Sequence, residues 1–431
     1  MFMSLLKRHF EICFYPPHSF LAFSSERRFR VNPKRVITIS ALPIVIFSLI
    51  FSQAVFSQKK IKVLGLNKVI GFYGAPKHLK SPTFVLGHKD WQYWERRSGV
   101  AAAQQVWFPI MENTTVEQGA SILTGIDFHG NPKPVVCIDE IGFDFGGDSD
   151  KKCASILLEA KKQKQNLSIA IWQMKGPISE PLAKAYRKSV DLILLESYVG
   201  RKEHYWWILT QVQAARFHGL LEKTVVGLGL GFGGRRGELW ARTKHELEQQ
   251  IRFVRLIAPE SPGIAFFGSE SPSELSVYAD NLCQRFYEIP TDGSGLPDDL
   301  IKLHNVFKRR YSKPTLVCSP HWVQPNRSFK NPRNLATPLT YRTLILNLGE
   351  RDARNVLIRL KHADDGPCFA KTVVSKIPKR SVTTIELQPV LPMHGWDTWK
   401  LEILPADKSL FSMNENPYWP DVLTFNLKKT R

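Results

Sequence analysis

The 431-residue chain is 43% hydrophobic and 23% charged, the balance of a soluble globular protein, and it is long enough for two domains. Its 27 glycines and 28 prolines exclude collagen-like and low-complexity architectures, and a single bilayer-length apolar segment excludes a polytopic membrane protein. Of the formal net charge of +20, seven Lys/Arg and two Asp/Glu in residues 1–57 account for +5; the rest is dispersed rather than run together. A dispersed excess gives solubility and attraction to anionic surfaces, so no nucleic-acid partner is expected.

Residues 1–57 read as a basic leader. Arg27, Arg28, Arg30, Lys34 and Arg35 precede an apolar run over 36–57, an order that keeps the amino end in the cytoplasm and exports the remainder of the chain. The strongest apolar core, Ala41 to Phe51, has signal-peptide length, and Val55 and Ser57 suit cleavage before Gln58; the whole run also has the length of a signal anchor. The expected location is therefore secreted, or tethered to the membrane with the C-terminal part outside.

From Lys68 short apolar runs alternate with amphipathic stretches, the pattern of a parallel sheet built from βα units. Eight strands are predicted, at Val69 to Tyr73, Thr83 to Gly87, Gln105 to Ile110, Pro134 to Asp139, Ser168 to Gln173, Leu192 to Glu196, Thr224 to Leu230 and Gly263 to Phe267. Helices are predicted at Lys151 to Lys164, Glu180 to Ser189, Tyr205 to Leu221, Leu239 to Ile257 and Pro272 to Tyr287, with an insertion around Trp91 and Trp94. Eight repeats over about 220 residues fit a (β/α)8 TIM-type barrel occupying 61–290, with a doubly wound open sheet as the competitor.

Residues 291–312, rich in Gly and Pro at their start, read as a linker and short helix. Beyond them, over 313–431, the period changes: Tyr341 to Leu348, Asn355 to Lys361, Ser381 to Leu387, Thr398 to Leu404 and Asp421 to Leu427 are short, β-branched and spaced by turns, which predicts a small antiparallel β-sandwich. Leu346-Asn347-Leu348-Gly349, the run Ala353 to Leu360, Ile377 to Ser381 and Phe411 to Asn416 resemble the CARDB type of bacterial immunoglobulin-like adhesion domain. That resemblance covers roughly the last 100 residues and implies an accessory extracellular module with no chemistry of its own.

The six cysteines form no CxxC and no zinc-type Cys/His cluster, so no metal and no cofactor is expected. Cys137 and Cys153 read as core residues, and only Cys318 and Cys368, which share the C-terminal domain, could pair in an oxidising compartment.

A barrel keeps its reactive groups at the C-terminal ends of its strands. The fourth strand ends Cys137-Ile138-Asp139-Glu140 and the sixth ends Leu194-Leu195-Glu196-Ser197-Tyr198. An acid closing an apolar strand is costly to bury unless it is paired or used, and the plain alternative is a salt bridge or helix cap at the rim. Paired carboxyl groups at one mouth are what glycosidic cleavage requires, one protonated and one ionised. Glu140 and Glu196 would supply them and Asp139 would tune its neighbour. Tyr73, Trp107, Trp172 and Tyr198 are candidates for stacking on sugar rings, Gln173 for binding a hydroxyl, and Arg235, beyond the glycine-rich run 227–234, for meeting an anionic sugar.

The "IDE" and "LLESY" strand ends and the barrel pattern of Lys68 to Tyr287 resemble the broad superfamily of barrel glycoside hydrolases, although the every-second-residue acid rhythm of its chitinase-like members is absent. The glycine-rich run lacks GxGxxG spacing and the Lys-Ser/Thr ending of a P-loop, and no GxSxG stands with a His and Asp. The sequence thus points to an exported glycoside hydrolase-like protein acting on a polysaccharide, with the cell envelope as its setting. The alternative is a noncatalytic carbohydrate-binding or adhesion protein whose acids are structural.

Overall fold

The computed structural model describes residues 63–87, 91–126, 134–142, 145–174, 176–199, 205–230, 243–268, 274–308, 314–318, 324–325, 340–362, 366–390, 398–404 and 423–426. The leader, Arg235 and the Phe411–Asn416 segment lie outside them. Among the described residues no helix is long and apolar enough to cross a membrane.

Eight parallel strands close into a barrel in chain order: β1 (Val69–Tyr73), β2 (Phe84–Leu86), β3 (Ala101–Trp107), β4 (Val135–Ile141), β5 (Ser168–Gln173), β6 (Leu192–Glu196), β7 (Thr224–Gly229) and β8 (Gly263–Phe267). Pairing of Val69–Phe72 with Gly263–Phe266 makes the closure, which excludes the open doubly wound sheet. β4 and β6 are separated by β5 alone, as expected. β1, β5 and β7 are buried on both faces, as barrel strands are when helices cover the outside.

The pleat divides these strands into two apolar sets. Val69, Phe84, Leu86, Val135, Cys137, Ala170, Leu192, Leu194, Val225 and Ala265 fill the interior. Ile70, Phe72, Val136, Ile138, Ile169, Ile171, Ile193 and Leu195 face the helices. Small interior residues make the packing possible: a Cβ on Gly71 would stand 2.9 Å from the Ala265 Cβ.

Around the strands run α1 (Trp91–Glu95), α2 (Phe108–Glu112), α3 (Val116–Thr124), α4 (Asp148–Gln163), α5 (Glu180–Ser189), α6 (Tyr205–Phe217), α7 (Lys244–Ile257), α8 (Glu274–Gln284) and α9 (Asp298–Lys308). The third strand differs from expectation. It begins at Ala101 and stops at Trp107, because Pro109 sits in the first turn of a helix rather than in a strand. The Ala101–Ala103 run has weak strand propensity and pairs because the crowded barrel favours small residues there. The segment expected as an insertion forms α1, whose Trp94 is fully buried and donates Nε1–H to the Ala75 carbonyl at 2.8 Å. Leu296, Leu300 and Leu303, in the stretch read as a linker, belong to the barrel's outer core.

The C-terminal part is antiparallel: β9 (Leu316–Val317), β10 (Gln324–Pro325), β11 (Tyr341–Asn347), β12 (Ala353–His362), β13 (Cys368–Ile377), β14 (Ser381–Pro389), β15 (Thr398–Leu404) and β16 (Leu423–Asn426). They run in the order β10-β11-β14-β13-β12-β15-β16, with β9 on β11. Asn347 explains the Asn-x-Gly signature. Its buried amide oxygen accepts the Thr315 and Gly349 N–H groups, and its Nδ2 donates to the Arg351 and Ile377 carbonyls, tying three strand ends together. β13 escaped the sequence reading, since Lys371, Val373, Ser375 and Lys376 leave one face of it exposed without a clean apolar alternation.

The one candidate pair of cysteines does not form a disulfide. Cys318 is buried with Sγ 3.1 Å from Thr343 Oγ1 on β11, whereas Cys368 opens β13 opposite Lys361, and neither is in a disulfide. Cys137 and Cys153 are core residues.

Closure supplies a test. A Cβ on Gly263 would lie 1.7 Å from the Val69 carbonyl oxygen, so Gly263→Ala must force β1 and β8 apart. Gly219, with φ +66 and nothing within 4 Å, bears only the backbone cost of a left-handed alanine. In urea unfolding, G219A should lose about 1–2 kcal/mol, and G263A more than about 3 kcal/mol or fail to fold.

Candidate active site

The C-terminal rim of the barrel gathers the polar residues. Position parity decides which side chains turn inward, and along β4 the interior residues are Val135, Cys137 and then Asp139. Regular alternation would send Glu140 outward. Instead the β4–β5 register slips: Ile138 pairs with Ile171 and Ile141 with Gln173, so Asp139 and Glu140 together oppose Trp172. This is a β-bulge, and Glu140 bears its conformational cost at φ +63, followed by Gly142 at φ +97. A left-handed glutamate at a strand end is a strained conformation of the kind found at functional sites. Two successive acids thus stand opposite a single residue at one strand end.

Asp139 is 7% exposed. Its Oδ2 accepts Nε2–H of Gln105 at 2.8 Å, and its Oδ1 accepts the Glu140 backbone N–H at 2.9 Å. Both donors are neutral amides rather than cations. Burial pushes the Asp139 carboxyl up to about 6; the two hydrogen bonds oppose this and the neighbouring Glu140 charge adds to it. Beneath it in the barrel, the buried Cys137 thiol is held well above its ordinary value by burial first and then by the Asp139 charge.

On β6, Leu192 and Leu194 are interior, and Glu196 continues that parity at the rim, partly buried. Tyr198 follows two residues later. It is partly exposed, and its hydroxyl accepts Nε1–H of Trp172 at 3.0 Å. Burial holds the phenol well above its ordinary value, with the Glu196 charge and, more weakly, the Asp139 charge adding to it. Tyr198 is thus a neutral group within electrostatic reach of both strand ends.

The interior rim is otherwise aromatic. Tyr73 meets Phe267 at 4.7 Å and Trp172 at 6.0 Å between centroids, and Tyr198 stacks on Phe267 at 5.2 Å. Gly227 on β7 faces the Trp172 ring, and a Cβ there would press on the Leu195 carbonyl oxygen at 3.1 Å. Trp107 ends β3 on the same interior parity and is 37% exposed, a large flat face left at the mouth.

The structure therefore brings Tyr73, Trp107, Asp139, Glu140, Trp172, Glu196 and Tyr198 to one rim. Gln173 does not join them. It has outward parity, is fully buried, accepts the Tyr186 hydroxyl at 2.6 Å and donates to the Met174 carbonyl, so it ties β5 to α5. Two residues escaped the sequence reading. Gln105, which also lies 3.1 Å from the Tyr73 hydroxyl, could have been found as a polar residue on the inner parity of an apolar strand; Phe267, the last residue of β8, looks from sequence like any core aromatic.

No family model matches the chain, and no curated protein matches it. Among solved structures it is similar to a family GH18 chitinase from Chromobacterium violaceum, at 9% identity over 83% of this chain and 93% of that one, with a TM-score of 0.35. It is similar to a glycoside hydrolase family 5 protein from Bacteroides vulgatus at 9% identity, over 84% of this chain and 93% of that one, with a TM-score of 0.31. The C-terminal region is similar to the CARDB domain of a Pyrococcus furiosus protein, at 14% identity over 28% of this chain and 90% of that one, with a TM-score of 0.20. The likeness is one of fold.

The Asp139 environment has a pH signature. An acid whose folded value, about 6, exceeds its ordinary 3.8 binds more protons folded than unfolded between those values. Its contribution to stability is therefore whole below about pH 4, falls as pH rises toward 6, and is flat above. Asp139→Asn should flatten that fall in chemical unfolding profiles from pH 3.5 to 7.5; an unchanged slope would show that Asp139 titrates normally.

Proposed function

We propose that this chain is an exported glycoside hydrolase acting on a polysaccharide of the cell envelope or its surroundings. The observation that carries the reading is the bulge at the end of β4, which sets Asp139 and Glu140 together opposite Trp172 at the aromatic rim where β6 also ends in Glu196. Export rests on the leader sequence.

Glycosidic cleavage needs a proton for the departing oxygen and a carboxylate to attack the sugar, or to activate water, as positive charge develops. Burial, with a smaller addition from the neighbouring Glu140 charge, keeps a proton on Asp139 at a pH where an exposed carboxyl would lose it. Glu140, partly exposed, is the member a substrate can reach, and Asp139, held by Gln105 and the Glu140 N–H, sets its proton affinity. Glu196 acts as the ionised partner. With one strand between them, β4 and β6 stand about 10 Å apart at the backbone. Side chains turned inward would bring the two carboxyl groups toward the range of about 5 to 9.5 Å that glycosidases use. Trp107 offers a ring face for a sugar, and the Tyr73, Trp172 and Phe267 cluster forms the floor beneath it.

Screening the purified protein against a polysaccharide panel, with release of reducing ends as the readout, tests this directly. Glu140→Gln and Glu196→Gln should each lower kcat by at least about a thousandfold with binding to the same glycan retained, since an amide keeps the shape but neither transfers a proton nor stabilises a cation. Trp107→Ala should weaken binding about three- to tenfold, the range of one stacking contact. Binding without turnover in the wild type, unaffected by either Gln substitution, would leave a carbohydrate-binding scaffold in place of an enzyme.

A further inference from the structure

Two separate contacts join the C-terminal sheet to the backbone that carries the candidate acids. The first lies just beyond β4. Phe145, five residues after Glu140, is 1% exposed and packs with the C-terminal sheet rather than with the barrel, in the cluster containing Leu344, Val382 and Leu387. Its φ is +49, and that of Gly146 is +93. Gly146 lies hard against β14: a Cβ there would come within 2.6 Å of Thr384 Oγ1. From the barrel side the Gly146 N–H donates to Asp150 Oδ2 at 2.7 Å, and the same oxygen accepts the Ser179 hydroxyl at 2.6 Å. Left-handed residues therefore stand at 140, 142, 145 and 146, and such a backbone persists only where its surroundings over-determine it.

The second contact runs through α6. Ala214 is fully buried in the same C-terminal cluster, and Trp206, Trp207 and Phe217 pack against it. The helix also carries Gln211, itself fully buried, whose Nε2 donates to the Glu196 carbonyl at 3.0 Å and whose Oε1 accepts the Ser197 hydroxyl. One helix thus rests on the sheet and holds the main chain of Glu196.

We propose that the C-terminal sheet is a positioning part of the active site, fixing through Phe145 and Gly146, and through α6, the backbone from which Glu140 and Glu196 enter the mouth. The sheet supplies no acid or base; it acts by holding the residues that do. The inference deepens the glycosidase reading and rests on it for its kinetic consequence, whereas its structural content stands apart from any reaction.

The experiment uses the full chain with Phe145→Ala, Phe145→Leu and Thr384→Ala. The comparison variant is Leu401→Ala, a buried sheet residue on β15, three strands along from β14. Backbone amide exchange is measured in peptides covering 135–142, 196–199 and, as an internal reference, 69–73. Phe145→Ala should speed exchange in the first of these at least tenfold and leave 69–73 unchanged, with Thr384→Ala giving a smaller change of the same pattern and Phe145→Leu restoring it to within threefold. Leu401→Ala should speed exchange in the sheet alone. On whatever glycan the wild type cleaves, Phe145→Ala should lower kcat at least tenfold with KM within twofold. If Phe145→Ala does not fold, Thr384→Ala decides the matter by the same exchange pattern. Equal behaviour of the Phe145, Thr384 and Leu401 variants at 135–142 would overturn the proposal. A wild type that cleaves no glycan would sink the glycosidase reading while the exchange arm still decided the positioning role.

Discussion

The structure depends on one geometric constraint, the pleat of a closed barrel. Every strand residue faces either the packed interior or the helical layer, and closure through β1 and β8 leaves no edge at which the rule relaxes. Charge can therefore enter the interior only at the rim, and only on the right parity. On β6 regular alternation suffices, because Leu192, Leu194 and Glu196 follow one another inward. On β4 it does not, and the bulge between Ile138 and Ile141 adds one residue, so that Asp139 and Glu140 stand together opposite Trp172. A regular β4 would direct Glu140 into the helical layer, where Ile138 and Ile141 are packed.

The same crowding that fills the barrel tunes the acids. The floor under Asp139 is Cys137 and a group of rings, so little solvent remains to stabilise a negative charge, and the two hydrogen bonds it accepts come from amides. Burial outweighs those bonds and the carboxyl keeps its proton to higher pH. A structural salt bridge at the rim would show the reverse, a cationic partner and a lowered value, as Glu402 does between Arg359 and Lys361 in the C-terminal sheet. Asp280 shows the other structural use of a buried acid, accepting the Lys80 and Ser81 N–H groups and the Ser81 hydroxyl to fasten the segment after β1.

Barrel and sheet meet through apolar contact. Phe145, Ala214 and the α6 aromatics share a cluster with the sheet's own core, so packing energy gained far from the mouth is available to hold strained backbone near it. This gives the C-terminal part a reason to follow a barrel that already has a complete hydrophobic interior, and it differs from the accessory role that the CARDB resemblance implies.

The sequence by itself determined the barrel, its strand order and the ends of β1, β5, β6 and β8, because apolar runs bounded by turn residues encode strands buried on both faces. It also marked Asp139, Glu140, Glu196 and the rim aromatics, since acids that close apolar strands stand out against the cost of burying them. Tertiary structure alone decided what alternation could not carry. Gln173 ends a strand like the others, yet its parity faces α5, and only the Tyr186 hydroxyl reveals that it is structural. Gln105 and Phe267 became rim residues through neighbours 30 or more positions away along the chain. Cys318 and Cys368 belong to one C-terminal part but form no disulfide. The bulge at Glu140 has no sequence mark of its own, because register is a relation between two strands and one strand's residues cannot state it.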